Sequence, residues 1–132
     1  MKKAWGESGA KVLFVDVDET MIHCIDDRDP PTMKGRIKLT INLENYEEPT
    51  NAETPDTIDI FINERPGLRD CLNNLKNAYQ IVAFTASNQL YADTILDFLD
   101  PDNQIFSARL YRQHCVNTQF GLIKDLRIIA NR

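Results

Sequence analysis

The sequence is sparing with the residues that build secreted scaffolds and broad polyanion-binding surfaces. Its three cysteines, Cys24, Cys71 and Cys115, form an odd and widely spaced set, which fits a reducing compartment better than a secreted disulfide framework. No lysine- or arginine-rich cluster occurs and the net charge is −5. Phosphate backbones are held mainly by such clusters, so direct nucleic-acid binding is set aside. Two lysines near the start are followed by no apolar core, so this segment reads as neither a signal peptide nor a transit peptide. No apolar run approaches the roughly 18 residues of a membrane span, and no repeat or low-complexity segment is present. Together these features lead to the expectation of an intracellular protein, nuclear or cytoplasmic. Its 132 residues are enough for one domain with a real core and too few for two. Hydrophobic residues at 42% and charged ones at 27% argue against wholesale disorder.

What is there is organised around residues 12–23, VLFVDVDETMIH, an apolar run of strand length that breaks into two acids one residue apart. On a strand, side chains alternate faces, so Asp16 and Asp18 are expected to point one way while Val15 and Val17 turn into the core. Residues 11–16 read as a central parallel strand covered on both faces. Ahead of it, residues 1–10 with Trp5 form a lead-in, mobile or lying on the domain surface. After the DDRDPP stretch at 26–31, residues 36–43 and 57–62 alternate apolar and polar side chains and predict a two-stranded ribbon. The acidic connector at 44–56 is too long for a tight hairpin and reads as an exposed flap.

Beyond Arg65-Pro66-Gly67 the period becomes helical, with Leu68, Cys71, Leu72 and Leu75 as one apolar stripe and Pro66 at the helix start. Residues 80–85 predict a second buried strand. Ser87 or Asn88 is placed to cap a helix bearing Leu90, Tyr91, Thr94, Ile95, Phe98 and Leu99, which Asp100-Pro101 ends. A third strand is expected at 105–111, a loop at 112–123 and the start of a further helix at 124–130. This order predicts an α/β fold with a parallel sheet.

In such sheets ligands sit beyond the carboxyl ends of the strands, where Asp16, Asp18, Thr85 and Ser87 all fall. With Lys124 they supply a carboxylate nucleophile, a second carboxylate, hydroxyl donors and a fixed cation, the parts needed to move a phosphoryl group. Two neighbouring carboxylates repel unless a cation is shared. Asp16 and Asp18 are therefore the candidate metal ligands, and Mg²⁺ suits an oxygen-rich site. Attack by Asp16 on phosphorus makes an acyl phosphate.

The string DVDETMIH at 16–23 resembles the first motif of the haloacid dehalogenase superfamily. The form it resembles is that of the RNA polymerase II C-terminal-domain phosphatases and the NLI-interacting-factor-like group, the FCP1-homology domain. Further strings follow in the family's order: ERPGL at 64–68, FTASNQLYAD at 84–93, LDP at 99–101, RLYRQHC at 109–115 and KDL at 124–126. Each is weak alone, and together behind an acid pair they are specific. The resemblance implies a haloacid-dehalogenase-like, Rossmann-type parallel sheet flanked by helices, with a β-ribbon flap inserted at 29–62. It implies a Mg²⁺-dependent phosphatase acting on phosphoserine or phosphothreonine in a phosphoprotein or phosphopeptide. Asp16 would be phosphorylated, and Asp18 would protonate the leaving oxygen and then deprotonate water. Thr20 would support the acid loop, Thr85 and Ser87 would meet the phosphate, Lys124 would pair with nucleophile and phosphate, and Arg112 would face the substrate phosphate. Mg²⁺ would be held by Asp16 and the backbone carbonyl of Asp18.

The family's fourth motif, an acid followed by Asp or Asn at the end of one more strand, is expected after KDL and does not occur before Arg132. Residues 1–132 are thus expected to be a single phosphatase-like domain that is incomplete at its C-terminal side. The preferred reading is a fragment. The others are a sheet completed by another chain, and a catalytically dead relative serving as a structural or binding subunit of a larger assembly.

Plainer readings compete. The acid pair alone could be solvated turn residues, Lys124 a surface lysine, Thr85 and Ser87 simple helix caps, and Arg112 a solvated arginine. An EF-hand is rejected because Met21 stands where that loop needs glycine. A receiver domain places its phosphoacceptor on a different strand from its acidic pair. Zinc at His23-Cys24 and His114-Cys115 is rejected because neighbours on an extended chain point apart and the spacing matches no zinc module.

Overall fold

The computed structural model describes residues 11–43 and 56–129. The lead-in at 1–10 and nearly all of the 44–56 connector lie outside the described residues. In chain order the elements are β1 (Val12–Val15), β2 (Ile22–Cys24), β3 (Ile37–Asn42), β4 (Thr57–Glu64), helix α1 (Leu68–Leu75), β5 (Gln80–Phe84), helix α2 (Gln89–Leu99), β6 (Phe106–Leu110), β7 (Val116–Thr118) and β8 (Gly121–Ile123). Single 3₁₀ turns cover Arg112–His114 and Leu126–Ile129.

Three strands form a parallel sheet in the order β1-β5-β6. Its centre is β5, buried at every position. This corrects the expectation that the first strand is central: among the described residues β1 is an edge, and all four of its residues are only half-buried. A long apolar run marks burial, but it does not say which of several such strands has neighbours on both sides.

The faces of β5 divide the core. Ile81 and Ala83 face one cluster, which takes Leu68 and Leu72 from α1 and Ala92, Ile95, Leu96 and Leu99 from α2. Val82 and Phe84 face the other, with Val12, Phe14, Ala108, Leu110 and Cys115. The register shifts between Ile81 and Val82, whose partners on β6 are Phe106 and Ala108. The extra residue, Ser107, swaps the faces of β6, so Phe106 joins the first cluster and Ala108 and Leu110 the second. The spacing of the buried α2 residues is that of one helical stripe. Each such aliphatic side chain taken out of water is worth about 1.5–3 kcal/mol.

The expected ribbon is present and is larger than expected. β3 and β4 pair antiparallel, from Ile37 opposite Ile62 to Asn42 opposite Thr57. The other edge of β4 takes up β2, with Ile22 opposite Glu64, so the sheet reaches outside the 29–62 span on both sides. Ile62, fully buried, ties it to the main core. Asn88 caps α2, accepting the Tyr91 N–H at 2.9 Å. At α1 the residue before the helix is Gly67 at φ 78°, not Pro66, and Cys71 is exposed and lies off the buried stripe. The expected loop at 112–123 is a 3₁₀ turn and the β7–β8 hairpin, and the expected further helix is the short turn at Leu126–Ile129.

Candidate active site

The carboxyl ends of β1 and β5 and the end of β8 deliver side chains to one place. β1 stops at Val15 and presents Asp16. The chain then coils tightly around the carbonyl of Val17, which accepts N–H bonds from Thr20, Met21 and Ile22 at 3.3, 2.9 and 3.3 Å. Val17 is fully buried and pins this coil to the core. Glu19 takes the left-handed conformation, φ 63°, which costs a side-chain-bearing residue energy. Asp16 and Asp18 therefore do not share one face of a strand as expected, because β1 ends before either; they stand on either side of the buried Val17.

The two carboxylates have separate partners. Asp16 Oδ1 accepts the Val17 N–H at 2.9 Å and pairs with Lys124 Nζ at 2.6 Å. Asp16 is 48% exposed, so the pair adds only about 0–1 kcal/mol to stability and its carboxylate is open to a reactant. Lys124 follows directly on β8 and also lies 6.0 Å from the Phe84 ring centroid. Asp18 turns toward the β5–α2 connection. Its Oδ2 accepts from Ser87 Oγ at 2.8 Å and, at the limit of a hydrogen bond, from Thr85 Oγ1 at 3.5 Å. Its Oδ1 accepts from the Tyr91 hydroxyl at 2.9 Å. Thr85 is 1% exposed and its Oγ1 accepts the Ser87 N–H at 3.0 Å. Both hydroxyls expected to meet phosphate are thus turned to Asp18 or to the turn itself.

Arg112 stands at the rim. Its Nε donates to the Ala86 carbonyl at 2.9 Å and its N–H to the Ser87 carbonyl at 3.0 Å. Its guanidinium makes no ion pair among the described residues. Thr20 is not brought into this group. It meets the rest of the fold through its backbone, its carbonyl accepting Arg65 Nε at 2.6 Å.

Tyr91 is the residue that sequence reasoning missed, since it had been placed among the apolar stripe of α2. Burial and then the charge of Asp18 push its phenol well above its ordinary range, so it is a permanent donor. The available signal was its polar tip, which a buried tyrosine must satisfy. Cys24 on β2 is no rival nucleophile: burial pushes its thiol up, and the charges of Asp18, Asp26 and Asp29 add to this. On the outer side of the acid loop, His23 Nδ1 meets Glu19 at 2.9 Å and Nε2 meets Asp29 at 2.8 Å. The Asp29 contact and then the Glu19 contact raise the imidazole above 6.5.

The residues that could hold a metal ion are Asp16, whose carboxylate is open, and Asp18, whose carbonyl accepts no hydrogen bond among the described residues. The Asp18 carboxylate is already taken up by its three donors. Mg²⁺ commonly uses one or two protein oxygens and keeps several waters, so this donor set fits it. Among the described residues no group of three or more His, Cys, Asp or Glu side chains is arranged to hold a metal, and no helix is long and apolar enough to cross a membrane.

Comparison with known proteins gives the same answer as the motif order. The family model for NLI interacting factor-like phosphatase matches residues 11–132. The chain is 36% identical over 120 residues to Nuclear envelope morphology protein 1 of Schizosaccharomyces pombe, covering 89% of this chain and 22% of that protein. It is 32% identical over 118 residues to CTD small phosphatase-like protein 3 of Caenorhabditis elegans, covering 89% and 37%. To CTD nuclear envelope phosphatase 1B of Danio rerio it is 32% identical over 124 residues, covering 90% and 46%. The chain thus spans less than half the length of these relatives. Among solved structures it is similar to the fission yeast RNA polymerase II CTD phosphatase Fcp1 bound to beryllium fluoride, with a TM-score of 0.57 at 22% identity over 79% of this chain and 30% of that one. The chain belongs to the NLI interacting factor-like phosphatase family and has its haloacid-dehalogenase-like fold.

Proposed function

We propose that the protein is a Mg²⁺-dependent phosphoprotein phosphatase that hydrolyses phosphoserine or phosphothreonine through an aspartyl-phosphate on Asp16. The observation that supports this best is the division of labour between the carboxylates. Asp16 is open and faces a cation at 2.6 Å, while Asp18 is held by hydroxyl donors on both oxygens. In the first step Asp16 attacks phosphorus, the bond from phosphorus to the seryl or threonyl oxygen breaks, and Asp18 gives its proton to that oxygen. In the second, Asp18 takes a proton from water as the water oxygen attacks phosphorus and releases Asp16, which restores both groups. Lys124 stabilises Asp16 as the anionic nucleophile and leaving group, and the N–H groups of Arg112 not spent on Ala86 bind the phosphate oxygens. Mg²⁺, held by the Asp16 carboxylate and the Asp18 carbonyl, would offset charge on the phosphoryl oxygens.

The names of the relatives support a protein substrate and an intracellular setting, nuclear or cytoplasmic. An Asp16→Asn variant keeps the shape of the site and removes the nucleophile. Its hydrolysis of a phosphoserine peptide is expected to fall to background with the fold intact by circular dichroism. Hydrolysis at the unaltered rate would refute the assignment and favour a structural or binding role.

A further inference from the structure

We propose that Arg65 is a positioning residue for the general acid: it holds the loop that carries Asp18, and through that loop it sets the acid's place against the leaving oxygen. The proposal rests on the phosphatase reading above and assigns it a part outside the reacting groups.

The loop's N–H groups and its carbonyls are satisfied on different sides. Thr20, Met21 and Ile22 all donate inward to the Val17 carbonyl, and Glu19 donates to Ile22. Of the carbonyls not used inside the loop, that of Asp18 accepts no hydrogen bond among the described residues, and the next three, of Glu19, Thr20 and Met21, all accept from one residue. The Arg65 N–H donates to Met21 O at 2.9 Å, its Nε to Thr20 O at 2.6 Å, and its Nη2 reaches Glu19 O at 3.5 Å. Adjacent carbonyl dipoles aimed one way repel, and a planar guanidinium spanning two of them relieves this in a way that a point-like ammonium does not. The same loop holds Glu19 in the left-handed conformation at φ 63°, which persists only where surrounding contacts over-determine it. Arg65 directly follows β4, whose pairing with β2 sets Ile22 opposite Glu64. The guanidinium is thereby anchored to the sheet that the loop runs into. Released from Arg65, Glu19 is free to leave its strained conformation. Asp18, the next residue back, then shifts against Ser87 and Tyr91, while Asp16, held by Lys124 and the Val17 N–H, keeps its place.

The test separates leaving groups. A seryl oxygen needs the proton from Asp18, and a p-nitrophenolate leaves without one. kcat/KM stops at the first irreversible step, so it reads the acid's role alone. For Arg65→Ala, kcat/KM on a phosphoserine peptide is expected to fall about 10²-fold, the order expected of a misplaced acid, with p-nitrophenyl phosphate nearly unchanged. Arg65 is exposed and lines an open cleft of about 280 Å³ with Glu19, Thr20 and His23, so added guanidinium ion is expected to restore part of the peptide activity. Arg65→Lys keeps the charge and loses the fork; it is the variant to use if the alanine protein does not fold, and the same selective loss is expected in milder form. Equal losses on both substrates, or wild-type peptide activity in a folded Arg65→Lys protein, would overturn the proposal and leave the phosphatase reading standing. Failure of the unaltered protein to hydrolyse either substrate would remove that reading, and this proposal with it.

Discussion

Replacing Tyr91 by Phe removes one oxygen from the site and leaves the ring in the core cluster it packs against. The lost group is the only donor to Asp18 Oδ1 among the described residues, at 2.9 Å; Oδ2 keeps Ser87 at 2.8 Å and Thr85 at 3.5 Å. A hydrogen bond to a charged group is worth about 1.5–3 kcal/mol. The bond strengthens as Asp18 gives up its proton, and at about 1.36 kcal/mol per decade of rate its full expression in the transition state would lower kcat/KM about 10- to 150-fold. Asp18 is only partly buried and water can replace some of the loss, which places the expected drop near the lower end. The assay is steady-state hydrolysis of a phosphoserine peptide, with kcat and KM resolved and the fold checked by thermal denaturation. In an Asp18→Ala background the same substitution should have no further effect, because the two act through one hydrogen bond. An unchanged kcat/KM for Tyr91→Phe, or a full further loss in the Asp18→Ala protein, would refute the role given to Tyr91.

Two other predictions concern groups outside the reaction. Asp100 is 3% exposed, and its carboxylate accepts the N–H groups of Gln104, Ile105 and Phe106 at 2.7, 3.0 and 3.0 Å. Asp100→Ala takes away the acceptor of three N–H groups at the turn into β6, of which only that of Phe106 belongs to a buried residue, and urea denaturation should show a loss of about 1–3 kcal/mol, with a smaller loss for Asp100→Asn; a negligible change would contradict this. His23, raised above 6.5 by Asp29 and then Glu19, contributes stability that is fully present below its unfolded value and is lost as pH rises through the folded one. Proton NMR of the two histidine rings should show His23 titrating above 6.5 and moving down in Asp29→Asn, and a wild-type midpoint at or below 6.5 would count against the clasp.

The helices, β5, β6 and the ribbon were legible because each has the period of its structure: the α2 stripe recurs at helical spacing, and Ile37, Leu39 and Ile41 alternate with exposed neighbours. The β7–β8 hairpin was not, because Val116, Leu122 and Ile123 are all largely exposed and apolar residues that share no buried face leave no pattern. β2 was hidden for another reason. It is three residues long and owes its existence to its partner β4, which no local window contains. In the site, the residue types of Asp16, Asp18, Thr85 and Lys124 and the strand-end positions of Asp16 and Thr85 were readable, whereas Lys124, expected at a helix start, follows the unforeseen β8. Which hydroxyl meets which carboxylate was not, because it depends on how the coil after Asp16 faces the start of α2. Tyr91 shows this most plainly: its spacing says core, and only the fold shows that its oxygen ends at Asp18. Arg65 is similar, since its three carbonyl partners come within reach only through the register of β2 on β4.

As the nucleophile, Asp16 would carry the phosphoryl group during turnover. The most direct measurement is acid quenching of the protein during hydrolysis of a radiolabelled phosphoserine peptide in Mg²⁺, followed by peptide mapping by mass spectrometry. Label is expected on the peptide containing Asp16, released by hydroxylamine as an acyl phosphate is, and absent from Asp16→Asn. Turnover with no covalent label, or label on any residue other than Asp16, would contradict it.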